Sequence, residues 1–254
     1  MNTIAWMSEE DRKQSLDTIV TPLFEPLNDK PTGETINDVH CNDAWVTGEM
    51  INAFFVSSAM RKLQGTGTVC LSTYFYDKLI EKKVYDFNKV KRYLSKALEK
   101  TPLSDLKRLI IPINITRQHW LLAVVSIVDG TIHLMDSSYS HSLDSQYYIN
   151  LKRYLSDAKI VRKTWATAQV NVPRQTDSYT CGLRVCAHIW LTLENVPAVQ
   201  INYPDNWIES YFRPFMIHCI ALPYVHKVHE RCPVCLDWYH SKSINCSRCN
   251  EYLI

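Results

Sequence analysis

A thiol, an imidazole and a carboxylate suffice for nucleophilic acyl chemistry once a fold brings them together. This chain offers a candidate for each. Cys181 closes a polar loop, Gln175-Thr-Asp-Ser-Tyr-Thr-Cys181, and is followed by Gly182. Beyond it Leu183, Cys186, Ala187, Trp190 and Leu193 recur at helical spacing, with Ile189 and Leu191 on a second face. That pattern predicts a helix apolar nearly all round, hence buried. Thr180 or Ser178 is placed to cap its start. A cysteine at the exposed tip of such a helix meets the positive end of the dipole, which favours the thiolate. The other reading of Cys181 is a small apolar residue at a buried helix start.

A thiolate nucleophile needs a base and a group to hold that base. Of nine histidines, His188 shares the Cys181 helix but lies seven residues on, roughly 10 Å of rise, out of hydrogen-bond reach. His133 falls mid-strand, on the face opposite Ile132, Leu134 and Asp136. His119 opens an apolar strand, where a loop hands over to a rigid support. Asp136 ends the next strand, and a two-residue turn at Asp129-Gly130 would bring both to one end of a hairpin. Asp136 either orients the imidazole or forms a turn before Ser137-Ser138. Gln175 is a candidate oxyanion donor beside the Cys181 N–H, or an ordinary loop glutamine.

A second cluster lies near the C-terminus. Cys232-Pro-Val-Cys235 and Cys246-Ser-Arg-Cys249 are two CxxC knuckles with ten residues between them. Four thiolates at this spacing predict a tetrahedral structural Zn2+ site, with His229 or His240 as a less favoured substitute ligand. Four basic residues (Lys227, Arg231, Lys242, Arg248) against three acidic ones (Glu230, Asp237, Glu251) do not favour nucleic acid.

The elements that must position these groups follow from periodicity. Thr47 predicts a cap for a helix running to about Leu63, with Met50, Ile51, Phe54 and Phe55 inward. Val84 to Leu98 is amphipathic, with Lys89, Lys91, Arg92 and Lys96 outward. Arg108–Ile115 and Trp120–Val128 read as strands, the second apolar on both faces and so central. Thr131–Asp136 returns, Leu143 to Ala158 is helical, Trp165 to Val172 is a short strand, and Asn206 to His218 is a last helix. The class is α+β, a few-stranded sheet carrying helices.

The 254 residues, 28 basic and 26 acidic, leave a net charge of +2, too little to argue for nucleic acid or an anionic membrane. No apolar run reaches membrane-spanning length and no signal-peptide core opens the chain. Nine cysteines without a disulfide pattern suit a reducing compartment, so an intracellular protein of the cytoplasm or nucleus is expected.

Taken together, Asp43-Ala-Trp-Val-Thr-Gly-Glu-Met-Ile-Asn-Ala-Phe-Phe55, Ile111-Pro-Ile-Asn-Ile-Thr-Arg-Gln-His-Trp120, Ile132-His-Leu-Met-Asp-Ser-Ser138 and Val172-Pro-Arg-Gln-Thr-Asp-Ser-Tyr-Thr-Cys-Gly182 resemble the Ulp/SENP cysteine proteases, from about Asp43 to Phe215. The resemblance implies a papain-like cysteine protease fold of the Ulp/adenovirus-protease type. It implies His119 as base, Asp136 as its partner, Cys181 as nucleophile and Gln175 as oxyanion donor, with no catalytic cofactor. Trp45 and Trp120 resemble two tryptophans roofing a tunnel for a Gly-Gly tail; the plainer reading of either is a core aromatic. The implied partner is a ubiquitin-like protein or its conjugates, and the implied enzyme a monomeric thiol protease. Thr47 and Gly48 depart from an Asn-Asp pair common in the family, and Thr180 from an Asp, so the substrate is open. A viral or transposon polyprotein protease or an acyltransferase of the same fold is the alternative. The expected organisation is an N-terminal extension over 1–40, the protease domain over 41–223 and the zinc module over 224–254.

Overall fold

The apolar strand with two buried faces is the axis of the molecule. In a computed structural model describing residues 45–57, 60, 67–98, 102–138, 145–160, 162–225, 229–231 and 238–240, helix α1 spans Gly48–Val56. Strand β1 (Thr68–Cys70), α2 (Tyr74–Leu79) and α3 (Lys91–Leu98) follow. Then come β2 (Arg108–Ile115), β3 (His119–Ser126), β4 (Thr131–Met135), α4 (Ser145–Asp157) and β5 (Ala166–Val170). Helix α5 (Cys181–Leu193) leads to a turn at Asp205–Trp207, a π-helical stretch Ile208–Phe212 and α6 (Arg213–Val225).

The sheet runs β1-β2-β3-β4-β5. The three middle strands form an antiparallel meander, while β1 and β5 pair parallel to β2 and β4. β3 is central and its six inner residues are all buried, the continuous apolar run that two covered faces require. Side-chain alternation along it separates two cores. Trp120, Leu122 and Val124 join α1, α5 and the segment after it; Leu121, Ala123 and Val125 join α2, α3 and α4.

Three expectations are corrected. Helix α1 starts where the Thr47 cap predicts, its hydroxyl accepting from Met50 N–H at 3.4 Å. It ends at Val56 rather than near Leu63, because Ser57 turns extended and its hydroxyl accepts from Met60 N–H instead. The amphipathic stretch 84–98 is helical only from Lys91; Asp86 accepts from Asn88 N–H and holds a separate 3-10 turn over Phe87–Lys89. The β3–β4 connection is four residues long, not two, since Ser126 pairs with Thr131. The Ser126 hydroxyl donates to Asp129 (2.6 Å) and Arg162 donates to the Val128 carbonyl (2.8 Å), so groups a ladder would use are engaged in the loop.

The extensions 1–40 and Cys232, Cys235, Cys246 and Cys249 lie outside the described residues. In the C-terminal segment, β6 (His229–Arg231) and β7 (Trp238–His240) form an antiparallel pair that brackets the first CxxC knuckle in sequence. Among the described residues, no helix is long and apolar enough to cross a membrane, and no group of three or more His, Cys, Asp or Glu is placed to hold a metal.

Candidate active site

Cys181 is the first residue of α5, as the change from polar loop to apolar run predicts. It is not at an exposed tip. The residue is 1% exposed, and the entry to α1 closes against its neighbour Gly182. Gly182 permits that approach: a Cβ there would stand 2.8 Å from the Val46 carbonyl oxygen and 3.1 Å from Trp120 Cδ1. The helix start is also built differently from the expectation. Thr180 occupies the cap position without a capping bond. The Asp177 carboxylate does that work upstream, accepting from the N–H groups of Tyr179 (2.9 Å) and Thr180 (2.7 Å).

His119 is the first residue of β3. It follows a three-residue turn in which Thr116 and Arg117 take left-handed backbone (φ 52° and 61°), an uncommon conformation for such side chains that the flanking ladder enforces. The β3–β4 register places Leu122 opposite Met135. One step further, Asp136 falls opposite Leu121, a diagonal neighbour of His119 on the same face. The four-residue loop makes this contact possible; a two-residue turn would have shifted Asp136 to face Ala123. His119 Nε2 and Asp136 Oδ1 are 2.6 Å apart, with the carboxylate wholly buried. Asp136 Oδ1 also accepts from Ser138 N–H at 2.9 Å, so the expected alternative, a turn-forming aspartate, is realised together with the imidazole contact rather than instead of it.

The Cys181 thiol lies near enough to the same imidazole to favour its protonated form. With Nε2 taken by the carboxylate, Nδ1 is the nitrogen left for sulfur. Burial alone would hold His119 neutral, but Asp136 and Cys181 together outweigh it and lift its pKa to about 9. The imidazole is thus bonded to a buried carboxylate and influenced by a sulfur.

Gln175 lies beside them. Its Oε1 accepts from the Ser137 hydroxyl (2.7 Å), its Nε2 donates to the Asp177 carbonyl (2.9 Å), and its backbone N–H donates to the Ser137 carbonyl (2.9 Å). Ser137, next to Asp136, thus sets which way the amide faces. Trp120 is buried among the residues around Cys181, whereas Trp45 is 45% exposed and so is not a core aromatic. His188 is excluded from the site as expected: it is buried against the Tyr203 hydroxyl at 2.8 Å. His133 stays on its own face of β4, its pKa lowered by burial. Sequence reasoning missed Ser137, Asp177 and Arg184; the signal for the last was a lone charge inside an apolar helix.

The sequence model described as the Ulp1 protease family, C-terminal catalytic domain, matches residues 46–213. The chain belongs to the Ulp1 protease family. Ubiquitin-like-specific protease 1 of Saccharomyces cerevisiae is 24% identical over 157 residues, 60% of this chain and 24% of that protein. Ubiquitin-like-specific protease ESD4 of Arabidopsis thaliana is 25% identical over 182 residues, 67% of this chain and 36% of that protein. The chain thus matches between about a quarter and a third of those relatives. The Ulp1 protease domain crystallised with Smt3, the yeast orthologue of SUMO, superposes with a TM-score of 0.64 at 22% identity, covering 87% of this chain and 98% of that one. The catalytic domain of a Chaetomium thermophilum Ulp1-like SUMO protease gives 0.65 at 17% identity, covering 87% and 92%. The fold is the Ulp1-like α+β protease fold.

Proposed function

We propose that this member of the Ulp1 family is a thiol protease that cleaves after the Gly-Gly tail of a ubiquitin-like protein. Cys181 attacks the glycyl carbonyl, His119 takes the thiol proton and returns it to the leaving amine, and Asp136 holds the ring. The tail becomes a thioester on Cys181, and water activated by the same imidazole releases it. The Cys181 backbone N–H and the second Nε2–H of Gln175 are the oxyanion donors. One observation carries the reading: His119 bonds the buried Asp136 carboxylate at 2.6 Å while Cys181 acts on the same ring.

The tail specificity rests on crowding. Trp120 packs against both Gly48 and Gly182, 3.4 and 3.1 Å from where a Cβ would stand, and exposed Trp45 precedes Val46 in the entry to α1. A path for the tail beside these residues would admit glycines more readily than residues with side chains. The relatives' names, ubiquitin-like-specific proteases, agree. On purified protein, a panel of SUMO-, NEDD8- and ubiquitin-tail probes bearing an electrophile should label wild type with at least one member, and Cys181→Ala should abolish it. Labelling that survives the substitution refutes the nucleophile; no labelling of wild type by any tail refutes the substrate class.

Cys232, Cys235, Cys246 and Cys249 are proposed to bind one structural Zn2+, on their spacing alone. Purified protein should hold about one zinc per chain by elemental analysis, and Cys232→Ser with Cys235→Ser should lose it. Metal-free wild type would sink the assignment.

A further inference from the structure

Among the fully enclosed side chains the largest is Arg184, 1% exposed and set between buried Leu183 and Val185 on α5. An enclosed guanidinium is costly unless its donors are paired, and well-packed apolar residues commonly serve stability as well. Stability alone therefore does not call for an arginine here. Two of its donors reach the loop that carries Gln175 and delivers Cys181, and a third reaches Asp205 beyond the helix.

Arg184 Nε donates to the Thr180 hydroxyl oxygen at 3.1 Å and Nη1 to the Pro173 carbonyl at 3.3 Å. Nη2 pairs with Asp205 Oδ1, and the guanidinium lies 5.9 Å from the Tyr203 ring centroid. The partners extend the hold. The Thr180 hydroxyl donates to Asp177 Oδ2 at 2.6 Å, and the Thr176 hydroxyl donates to Asp205 Oδ2 at 2.7 Å. Positions 173 and 180 are thus tied directly to a single cation, 177 through the Thr180 hydroxyl and 176 through the Asp205 carboxylate. His188, one turn along the helix and facing the same group, adds no competing charge: burial and the Arg184 charge push its pKa down to about 3. On its other side the loop is fixed by Ser137, which bonds Gln175 through both backbone and side chain.

We propose that Arg184, with Asp205, is a positioning residue for the oxyanion donors, clamping residues 173–180 so that the Gln175 amide and the Cys181 N–H address one oxygen. The inference rests on the protease reading above. Thr180 is part of the device: its hydroxyl bridges the Arg184 guanidinium and the Asp177 carboxylate, which an acidic residue cannot do by donating a proton.

The test separates chemistry that needs an oxyanion hole from chemistry that does not. Turnover of a ubiquitin-like tail amide substrate, using whichever tail labels wild type, is compared with alkylation of Cys181 by iodoacetamide, in Arg184→Met, Arg184→Lys and Asp205→Asn. The expected result is a fall in kcat of about 10- to 100-fold for Arg184→Met, with KM nearly unchanged. Arg184→Lys fails to restore it, because an ammonium cannot span three acceptors in a fork. Asp205→Asn, at a partly exposed position, falls in the same sense by about 10-fold. Alkylation, which develops no oxyanion, changes by less than about 3-fold. Unchanged kcat in Arg184→Met and Asp205→Asn overturns the inference. So does a parallel fall in kcat and alkylation, which marks a merely structural role. Should Arg184→Met not fold, Asp205→Asn decides alone. A wild type that turns over no tail substrate overturns the protease reading itself, and the inference with it.

Discussion

His119 is drawn toward neutrality by burial and toward charge by Asp136 and Cys181, and charge prevails, with a pKa near 9 against the usual 6.5. Folding therefore binds a proton between those values. The stabilisation from the Asp136 contact is complete below about pH 6.5 and is lost as pH rises through about 9. The melting temperature of wild type should accordingly decline across that window, and that of Asp136→Asn should be flatter. In catalysis the same proton serves the leaving amine, so kcat/KM should fall on an alkaline limb near pH 9. Asp136→Asn should shift that limb to lower pH and cut kcat about 10²- to 10⁴-fold. A pH–rate profile with the limb unmoved contradicts the role of Asp136. Cys181 reactivity can be read without interference from two other buried thiols. Burial, slightly opposed by Arg108, raises Cys70 to about 12, and burial raises Cys186 as well, so both stay protonated and slow to alkylate.

At the scale of elements, the decisive contact is between α5 and the entry to α1. Two glycines sit in it, with different consequences. At Gly182 an added Cβ meets the Val46 backbone oxygen at 2.8 Å and Val46 Cβ at 3.0 Å; backbone cannot swing aside. Gly182→Ala should cost about 1–3 kcal/mol in denaturant unfolding and suppress probe labelling by displacing the entry to α1. At Gly48 the nearest atom is the Thr73 hydroxyl, 2.9 Å away, a side chain able to rotate. Gly48 is only the first residue of α1, so alanine gains little helix propensity there; Gly48→Ala should cost less than Gly182→Ala in the same measurement. Equal losses in both variants would mean that the Val46–Gly182 approach is not what limits the site.

Across the molecule, one sheet serves two cores and the chemistry lies where both end. The Cys181 helix belongs to one core; Leu121, between His119 and Ala123, belongs to the other. Aromatic contacts brace the first: Trp190 on α5 meets Phe215 at 5.1 Å, and Phe54 on α1 meets Phe212 at 5.9 Å. Helix α5 is thereby held between the sheet and the π-helical segment, so its N-terminus stays at a fixed height relative to the start of β3. Two grooves of about 280 and 320 Å³ lie over the second core, lined by Leu103, Ile160, Leu94 and Tyr154 among others, and include none of the site residues.

Much of this was legible in the linear order of residues. The apolar run after Cys181, the two-faced strand after His119 and the Thr47 cap are local patterns, and local patterns write secondary structure directly. β5 was legible as a short strand, but its parallel pairing was not, and β1, three residues long, was not legible as a strand. Sequence offered two readings of Cys181, exposed tip or buried start, and nothing near it said that Val46 would close against Gly182. The register that sets Asp136 beside His119 depended on a serine, an aspartate and a distant arginine holding one loop open. The sequence by itself determined the chemical groups, their helices and strands, and the family. Only the tertiary structure decided the distances between them, the burial of Asp136 against His119 and that of Arg184 against Asp205, because contacts between residues far apart in the chain are set by packing and by the pairing of charge, which no local pattern encodes.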